Sequence, residues 1–163
     1  MTKLSEHLEL SEVTRSSTAK RLGINNTPTP EHIENLKKLA ENVFEPIREH
    51  FGVPIYISSG YRSAALNKAT KGSSTTSQHV SGEAVDLDQD GKGNKITNKQ
   101  VFDYIKANLN FDQLIAEFPV GGNPAWVHVS YESTGKQRKQ ILVARKVNGA
   151  TKYTPYKTDA DLK

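Results

Sequence analysis

The chain has 163 residues, of which 35% are hydrophobic and 25% charged, and these values fit one folded domain rather than a disordered chain. It contains no cysteine, which excludes disulfide bonds and thiolate metal ligands. No run of eighteen apolar residues is present, and the N-terminal sequence lacks the apolar segment of a signal peptide. We therefore expect neither a membrane span nor a signal peptide.

The formal net charge of +4 suits an anionic partner, such as nucleic acid or a bacterial wall polymer. The lysines and arginines are scattered, however, and the densest clusters, KGSS, KGNK and KQRK, belong to no recognised nucleic-acid-binding motif. Most of this charge is expected to form a solvated surface. We accordingly expect no nucleic-acid partner.

The first part of the chain predicts helices. Residues 4–23 form short helical pieces, with Ser17 as the cap of STAKRL. A longer helix follows, with Thr29 as its cap and Pro30 as its first residue, and Pro46 is expected to kink or shorten its end. Its apolar stripe has a spacing of three to four residues and is predicted to lie in the core: Ile33, Leu36, Leu39, Ala40, Val43, Phe44 and Ile47.

The remainder of the chain alternates strands with two helices. PIYISSGYRS begins as a strand and leads to a short helix that Ser63 caps and Gly72 closes. After SQHVSGEAVDLD, the sequence predicts a polar turn, a helix capped by Thr97 or Asn98, and the strands FDQLIAEF and AWVHVSY. ILVARKV and the segment after the Asn-Gly pair at 148–149 predict a final hairpin.

Strands in mixed order, with helices before and between them, favour an α+β domain with a small, mostly antiparallel sheet flanked by helices. We assign residues 1–157 to this single domain. Residues 158–163 are polar and are predicted to form a frayed C-terminal tail.

The stretch SQHVSGEAVDLD has the residues of a metal site. EAVDLD alternates as a strand does, so Val85 and Leu87 face one side and Asp86 faces the other. His79 lies upstream in a Ser/Thr-rich loop, and Gly82 permits a tight return between the two. An imidazole and a carboxylate brought together in this way are two of the three protein ligands of a catalytic zinc site.

The best candidate for a third ligand is His128, in the strongly alternating segment AWVHVSY. On this strand His128 shares one face with Trp126 and Ser130, whereas the valines share the other.

Three segments, SGYRS, SQHVSGEAVDLD and WVHVS, together resemble the signatures of the zinc D-alanyl-D-alanine carboxypeptidase family of peptidoglycan peptidases. That family belongs to a larger group with lysostaphin-type peptidases and the hedgehog signalling domain, and the resemblance covers residues 4–131. It implies a hedgehog/D-Ala-D-Ala peptidase-like fold, and a zinc ion held by His79, Asp86 and His128 with water in the fourth position.

The resemblance also implies roles around the metal. Arg62 would be the family's substrate-side arginine, which binds a terminal carboxylate or stabilises the oxyanion, unless it is a turn arginine paired with a surface carboxylate. Ser77 would contact the substrate backbone or hold the loop. Trp126 would line the cleft or pack in the core.

The general base is where the chain departs from many relatives, which place Asp or Glu three residues before the last histidine. Ala125 occupies that position and cannot accept a proton. We predict Glu117 instead, because pairing of FDQLIAEF with AWVHVSY would bring it near His128; otherwise it is a solvated strand-end carboxylate. Glu132 and Asp88 are weaker candidates, and Asp88 would alternatively orient a ligand histidine.

DLDQDGKGNKIT matches the start of a calcium-binding EF-hand loop, with Asp86, Asp88, Asp90 and Gly91 at positions one, three, five and six. Position twelve is Thr97 rather than the bidentate glutamate, and the preceding residues predict a strand rather than a helix. We therefore do not expect a calcium sensor, although weak calcium binding by Asp88 and Asp90 stays open.

The sequence thus predicts a zinc metallopeptidase, either carboxypeptidase or endopeptidase, that cuts the D-amino-acid-containing peptide stem of bacterial peptidoglycan. The alternative is an inactive zinc-containing module that binds the wall or another partner. We expect a monomer that is made in the cytoplasm and acts at the cell wall, as a phage lysin or virion component does.

Overall fold

The fold is taken from a computed structural model, which describes residues 2–70, 73–74 and 76–163. Its elements in chain order are β1 (Lys3–Ser5), β2 (Leu8–Glu9), α1 (Leu10–Thr14), α2 (Ser17–Leu22), α3 (Pro30–Leu39), a π-helical segment (Ala40–Phe44), α4 (Glu45–Phe51), β3 (Ile57–Ser59), α5 (Ala64–Ala69), β4 (Ala84–Leu87), α6 (Asn98–Asn108), β5 (Gln113–Glu117), β6 (Trp126–Ser130), β7 (Gln140–Val147), β8 (Ala150–Pro155) and a 3₁₀ turn (Asp159–Leu162).

Six strands form one sheet in the order β3-β4-β6-β5-β7-β8, and β1 and β2 form a separate two-stranded ribbon. Neighbouring strands of the large sheet are antiparallel except for β5 and β7, which are parallel. The α+β prediction with a mostly antiparallel sheet is confirmed. No helix in the described part of the chain is long and apolar enough to cross a membrane.

Side-chain alternation gives the sheet an apolar face and an open face. The apolar face is buried against the helices, and in the three central strands it consists of Val85, Leu87, Leu114, Ala116, Val127 and Val129. On the open face, Asp86, His128 and Ile115 lie side by side on β4, β6 and β5. The alternation therefore places polar groups together above a dry core.

The long helix that covers the core begins as predicted, because the Thr29 hydroxyl accepts a hydrogen bond from the first turn and Pro30 is the first residue. The predicted apolar stripe packs in the core. The π-helical segment lies just before Pro46, whose nitrogen cannot donate to the helical ladder. The irregularity expected at Pro46 takes this form, and the helix continues to Phe51.

The shorter helices agree with the sequence in most of their caps. Ser63 and Thr97 cap α5 and α6, and each hydroxyl accepts a backbone N–H of the first turn. Ser16 rather than Ser17 caps α2, since its hydroxyl accepts from the N–H of the third helical residue. Gly72, which was predicted to close α5, lies outside the described residues.

The final hairpin is present as β7 and β8, but the last residues are not frayed. They form the 3₁₀ turn, in which Leu162 is fully buried. The Asp161 carboxylate accepts the backbone N–H groups of Lys157 and Thr158, and Arg145 donates to the Asp161 carbonyl oxygen. One buried apolar side chain and these capping bonds order a segment that composition alone predicts to be loose.

Candidate metal centre

Three side chains meet on the open face. Asp86 and His128 lie directly opposite one another on β4 and β6, with Asp86 Oδ1 3.0 Å from His128 Nδ1. His79 comes from the loop before β4, and its Nε2 is 3.3 Å from the same oxygen. The three offer ligand atoms within 4.8 Å of one another, and they are the only such group of His, Asp or Glu side chains in the described residues.

His79 is oriented by a backbone carbonyl. Its ring is 1% exposed, and Nδ1 lies 2.6 Å from the Gly60 carbonyl oxygen, so in the neutral ring Nδ1–H donates and Nε2 carries the lone pair. Nε2 is buried and has no hydrogen-bond partner among the described residues. A buried lone pair that faces a carboxylate and a second imidazole is suited to a metal ion.

Asp86 is held in its ionised form. Burial by itself would raise its pKa, but the neighbouring imidazoles of His79 and His128, the latter within hydrogen-bond distance, outweigh burial and hold the pKa well below its usual range. Two imidazole nitrogens and one carboxylate are a common ligand set of catalytic zinc, which keeps a fourth position open.

The loop that carries His79 is fixed at both ends. The Ser77 hydroxyl accepts the backbone N–H of His79 at 3.2 Å, which is the loop-holding role that the sequence allowed. Gly82 has φ +77°, and a Cβ there would lie 2.7 Å from the His32 carbonyl oxygen. The tight return before β4 therefore depends on this glycine.

SGYRS is wedged between α1 and the same loop. A Cβ at Gly60 would lie 2.5 Å from the Val13 carbonyl oxygen, so only glycine fits. The next two residues continue the attachment, because Tyr61 N–H donates to Val13 at 2.7 Å and Arg62 N–H donates to the His79 carbonyl at 3.1 Å. The segment thus supplies both the carbonyl that orients His79 and a guanidinium beside the metal side chains.

The Arg62 guanidinium lines the cleft with Asp86 and Glu117. Burial lowers its pKa, while the charges of these two carboxylates act in the opposite direction. Its Nε is buried and has no hydrogen-bond partner in the described part of the chain. Among the described residues, Arg62 forms no ion pair with a surface carboxylate.

Glu117 ends β5 and pairs with Trp126, on the same face as His128 two residues along. The strand pairing from which we chose Glu117 is thus present. Its side chain is 8% exposed, and its pKa is raised to about 7 by burial and by the charge of Asp86, against the opposing charges of His128 and Arg62. A carboxyl group that titrates near neutral pH is suited to accept and release a proton.

The cleft above these residues has a volume of about 1050 Å³. One end is aromatic, because the rings of Trp126 and Phe118 lie 5.3 Å apart there. Trp126 is half-buried and faces the cleft rather than the core. The cleft combines three candidate metal ligands, a buried carboxyl group and a guanidinium. These are groups that a metal-dependent hydrolase uses.

A family model described as Peptidase M15 matches residues 6–130, and these residues contain every group described above. The chain belongs to the peptidase M15 family. No curated protein matches the chain. The family-model match confirms the family resemblance inferred from the three sequence signatures. M15 peptidases are zinc-dependent, and His79, Asp86 and His128 are a candidate metal-binding group. β7 and β8 lie beyond the matched residues.

Sequence reasoning missed one network of this M15 peptidase. Asp112, 2% exposed, accepts two hydrogen bonds from the Arg138 guanidinium, at 3.0 and 2.8 Å, and one from the Gln78 amide at 3.0 Å. It therefore ties the residue before His79 to the loop after β6. The signal was weak, because FDQ and KQRK are far apart in the chain and carry no shared motif.

The weaker base candidates of this M15 peptidase lie elsewhere. Asp88 Oδ1 accepts the Asn98 side-chain amide at 3.0 Å and the Asp90 backbone N–H at 3.1 Å, so it orients no ligand histidine. The Glu132 carboxylate is bound by Thr134 in an exposed turn. Asp88 and Asp90 do not join Asp86 in a metal-holding group among the described residues, which leaves the EF-hand interpretation without support.

Proposed function

We propose that this protein is a zinc peptidase that hydrolyses a peptide bond in the D-amino-acid-containing stem of bacterial peptidoglycan and acts at the cell wall. The observation that carries the proposal is the buried Nε2 of His79, which has no hydrogen-bond partner among the described residues and faces Asp86 and His128 beside a carboxyl group that titrates near neutral pH. The M15 membership supports the peptidase class.

His79 through Nε2, Asp86 through a carboxylate oxygen and His128 through Nδ1 would hold the zinc ion. Their atoms fit it, since the two nitrogens face the carboxylate and Gly60 fixes the tautomer of His79. When bound, zinc lowers the pKa of a water molecule to about 7 and polarises a substrate carbonyl group.

Glu117 is the proposed general base. It takes a proton from the attacking water and passes that proton to the leaving amine, so one carboxyl group serves both halves of the hydrolysis. Its diagonal position relative to His128, roughly 7–8 Å between backbone positions, is within the reach of a glutamate side chain. Glu117 therefore supplies from the neighbouring strand the acid that Ala125 cannot.

Arg62 is the proposed substrate-side cation. Its guanidinium lines the cleft, where it can donate to the carbonyl oxygen of the scissile bond as negative charge develops there. Ser77 and Trp126 line the same cleft and would contact the substrate on either side.

The charge of the cleft supports an acidic peptide as substrate. Three cationic side chains, Arg62, Arg138 and Lys146, line it beside the carboxyl groups of Asp86 and Glu117, and stem peptides carry free carboxylates. The formal net charge of +4 favours approach to an anionic wall polymer in the same way.

The test measures bound zinc and the release of amines from purified peptidoglycan, with and without a chelator. We expect near-stoichiometric zinc and chelator-sensitive release, and the masses of the products identify the bond that is cut. Bound zinc without any released amine would refute the peptidase and favour the wall-binding module instead.

Glu117→Gln tests the base with little change in shape. We expect it to keep zinc and to lose roughly 10²- to 10⁴-fold in kcat. Glu132→Gln is the matched control, since this carboxylate lies outside the cleft, and it should keep full activity. Full activity in the Glu117 variant would remove the residue from the mechanism.

A further inference from the structure

The open face of the sheet continues past the metal side chains onto β7 and β8, which lie outside the family-matched residues. The strand register places Trp126, Glu117, Ala144 and Tyr153 in one row across β6, β5, β7 and β8. Residues in one row face the same side, so Tyr153 stands on the same face as Glu117. Ala144, which lies between them in the row, is fully buried and adds only a methyl group to this face.

This extension forms the far wall of the cleft, because Tyr153 and Lys146 line the same cavity as His79 and Glu117. The volume of about 1050 Å³ slightly exceeds the roughly 300–1,000 Å³ typical of sites for drug-sized ligands. A free dipeptide would fill only a small part of it. A longer bound peptide would extend to this wall.

Tyr153 has the properties of a substrate contact. Its side chain is half exposed, and no partner for its hydroxyl occurs among the described residues, whereas the nearby Tyr156 hydroxyl bonds Lys106 and Asp159. Burial and the charges of Glu117 and Asp86 raise the pKa of Tyr153, so at neutral pH the hydroxyl is a donor. A rigid aromatic ring with an unused donor is suited to bind a peptide carbonyl group.

We propose that β7 and β8 form a substrate-binding wall for an extended peptide, and that the Tyr153 hydroxyl donates a hydrogen bond to a backbone carbonyl oxygen of that peptide away from the scissile bond. The inference rests on the proposed peptidase function and adds a substrate length to it. The preferred substrate is a peptide of four or more residues rather than a free dipeptide.

Tyr153→Phe removes only the hydroxyl, and Tyr156→Phe is its matched control. Binding of a stem pentapeptide and of the dipeptide D-Ala-D-Ala to the metal-free protein is measured by calorimetry. We expect Tyr153→Phe to weaken pentapeptide binding about three- to tenfold and to leave dipeptide binding unchanged, while Tyr156→Phe changes neither. In the zinc-loaded protein, kcat/KM should fall by a similar factor for the pentapeptide alone.

Several outcomes would overturn the inference: no pentapeptide binding by the wild type, equal pentapeptide affinity in Tyr153→Phe and wild type, or equal losses for both peptides. The proposed function fails separately. If the zinc-loaded wild type cuts no stem peptide but binds the pentapeptide in a Tyr153-dependent way, the proposed peptidase function is wrong and the proposed substrate-binding wall is supported.

Discussion

The carbonyl oxygen of Gly60 lies 2.6 Å from Nδ1 of His79, and this single contact decides which ring nitrogen of His79 faces Asp86. Gly60 holds that position because a side chain there would collide with the backbone of Val13. The orientation of a candidate metal ligand thus depends on a close approach of backbone between two segments far apart in the chain.

Gly60→Ala is expected to destabilise the fold and to weaken zinc binding together. The new Cβ would lie 2.5 Å from a backbone oxygen, so the segment must shift and take the carbonyl away from His79. Loss of such an orienting partner typically costs 10- to 100-fold in metal affinity. Thermal melting and a competitive zinc titration measure both effects.

The control for this prediction is Gly91→Ala. Gly91 has a left-handed φ of +71° but nothing within 4 Å of an added Cβ, so the variant should lose roughly 1 kcal/mol of stability and keep its zinc affinity. Equal zinc affinity in Gly60→Ala and wild type would contradict the proposed role of the Gly60 carbonyl.

Asp86→Asn should abolish stoichiometric zinc binding, because it removes the charged ligand between the two imidazoles. Asp88→Asn is the matched control: its side chain bonds Asn98 and should leave zinc content unchanged. Metal analysis of both purified variants tests this. Zinc retained at one equivalent in Asp86→Asn would show that another set of residues holds the metal.

Glu117 should make the stability of the metal-free protein depend on pH. Its folded pKa of about 7 lies above the ordinary 4.5, so the folded state binds more protons between these values. The stabilisation is complete below about pH 4.5 and is lost as the pH rises through 7, by at most about 3 kcal/mol. Burial and the charge of Asp86 raise this pKa, and the charges of His128 and Arg62 oppose them.

Denaturant unfolding of metal-free wild type and Glu117→Gln from pH 5 to pH 8 measures this effect. The variant, which cannot ionise, should lose less stability over that range. Parallel stability curves would mean that the folded pKa of Glu117 is ordinary.

Leu162→Ala should destabilise the protein by about 2–5 kcal/mol, because the side chain is fully buried although it lies next to the last residue. Ala160→Gly, in the same turn but exposed, is the comparison and should cost much less. Equilibrium unfolding gives both values. A change in the free energy of unfolding below about 0.5 kcal/mol for Leu162→Ala would instead support the frayed tail that composition predicts.

Most of what the sequence predicts about the candidate metal centre follows from the alternation of side chains along the strands. This alternation placed Asp86, His128 and Glu117 on one face of their strands, and the pairing of β5 with β6 through a short turn then brought Glu117 close. These features depend on residues near one another in the chain or on period-two patterns, both of which a sequence displays directly.

Contacts between distant segments were not accessible in this way. The parallel pairing of β5 with β7 joins strands separated by β6 and has no local turn signal, so the row from Glu117 to Tyr153 was hidden. The Asn-Gly turn fixes the register of β7 with β8 and would have aligned Ala144 with Tyr153, but not either one with Glu117. The contact between the Gly60 carbonyl and His79 could not be predicted for the same reason.

Because Asp86 on β4 pairs with His128 on β6, zinc binding also reports whether these two strands are correctly paired. A slip of one residue between these strands would turn His128 into the core and bring Val129 to the cleft, since side chains alternate. Such a molecule would lack both its dry interior and one ligand. The amount of zinc bound per chain after refolding therefore measures the fraction of molecules in which β4 and β6 are paired in the correct register.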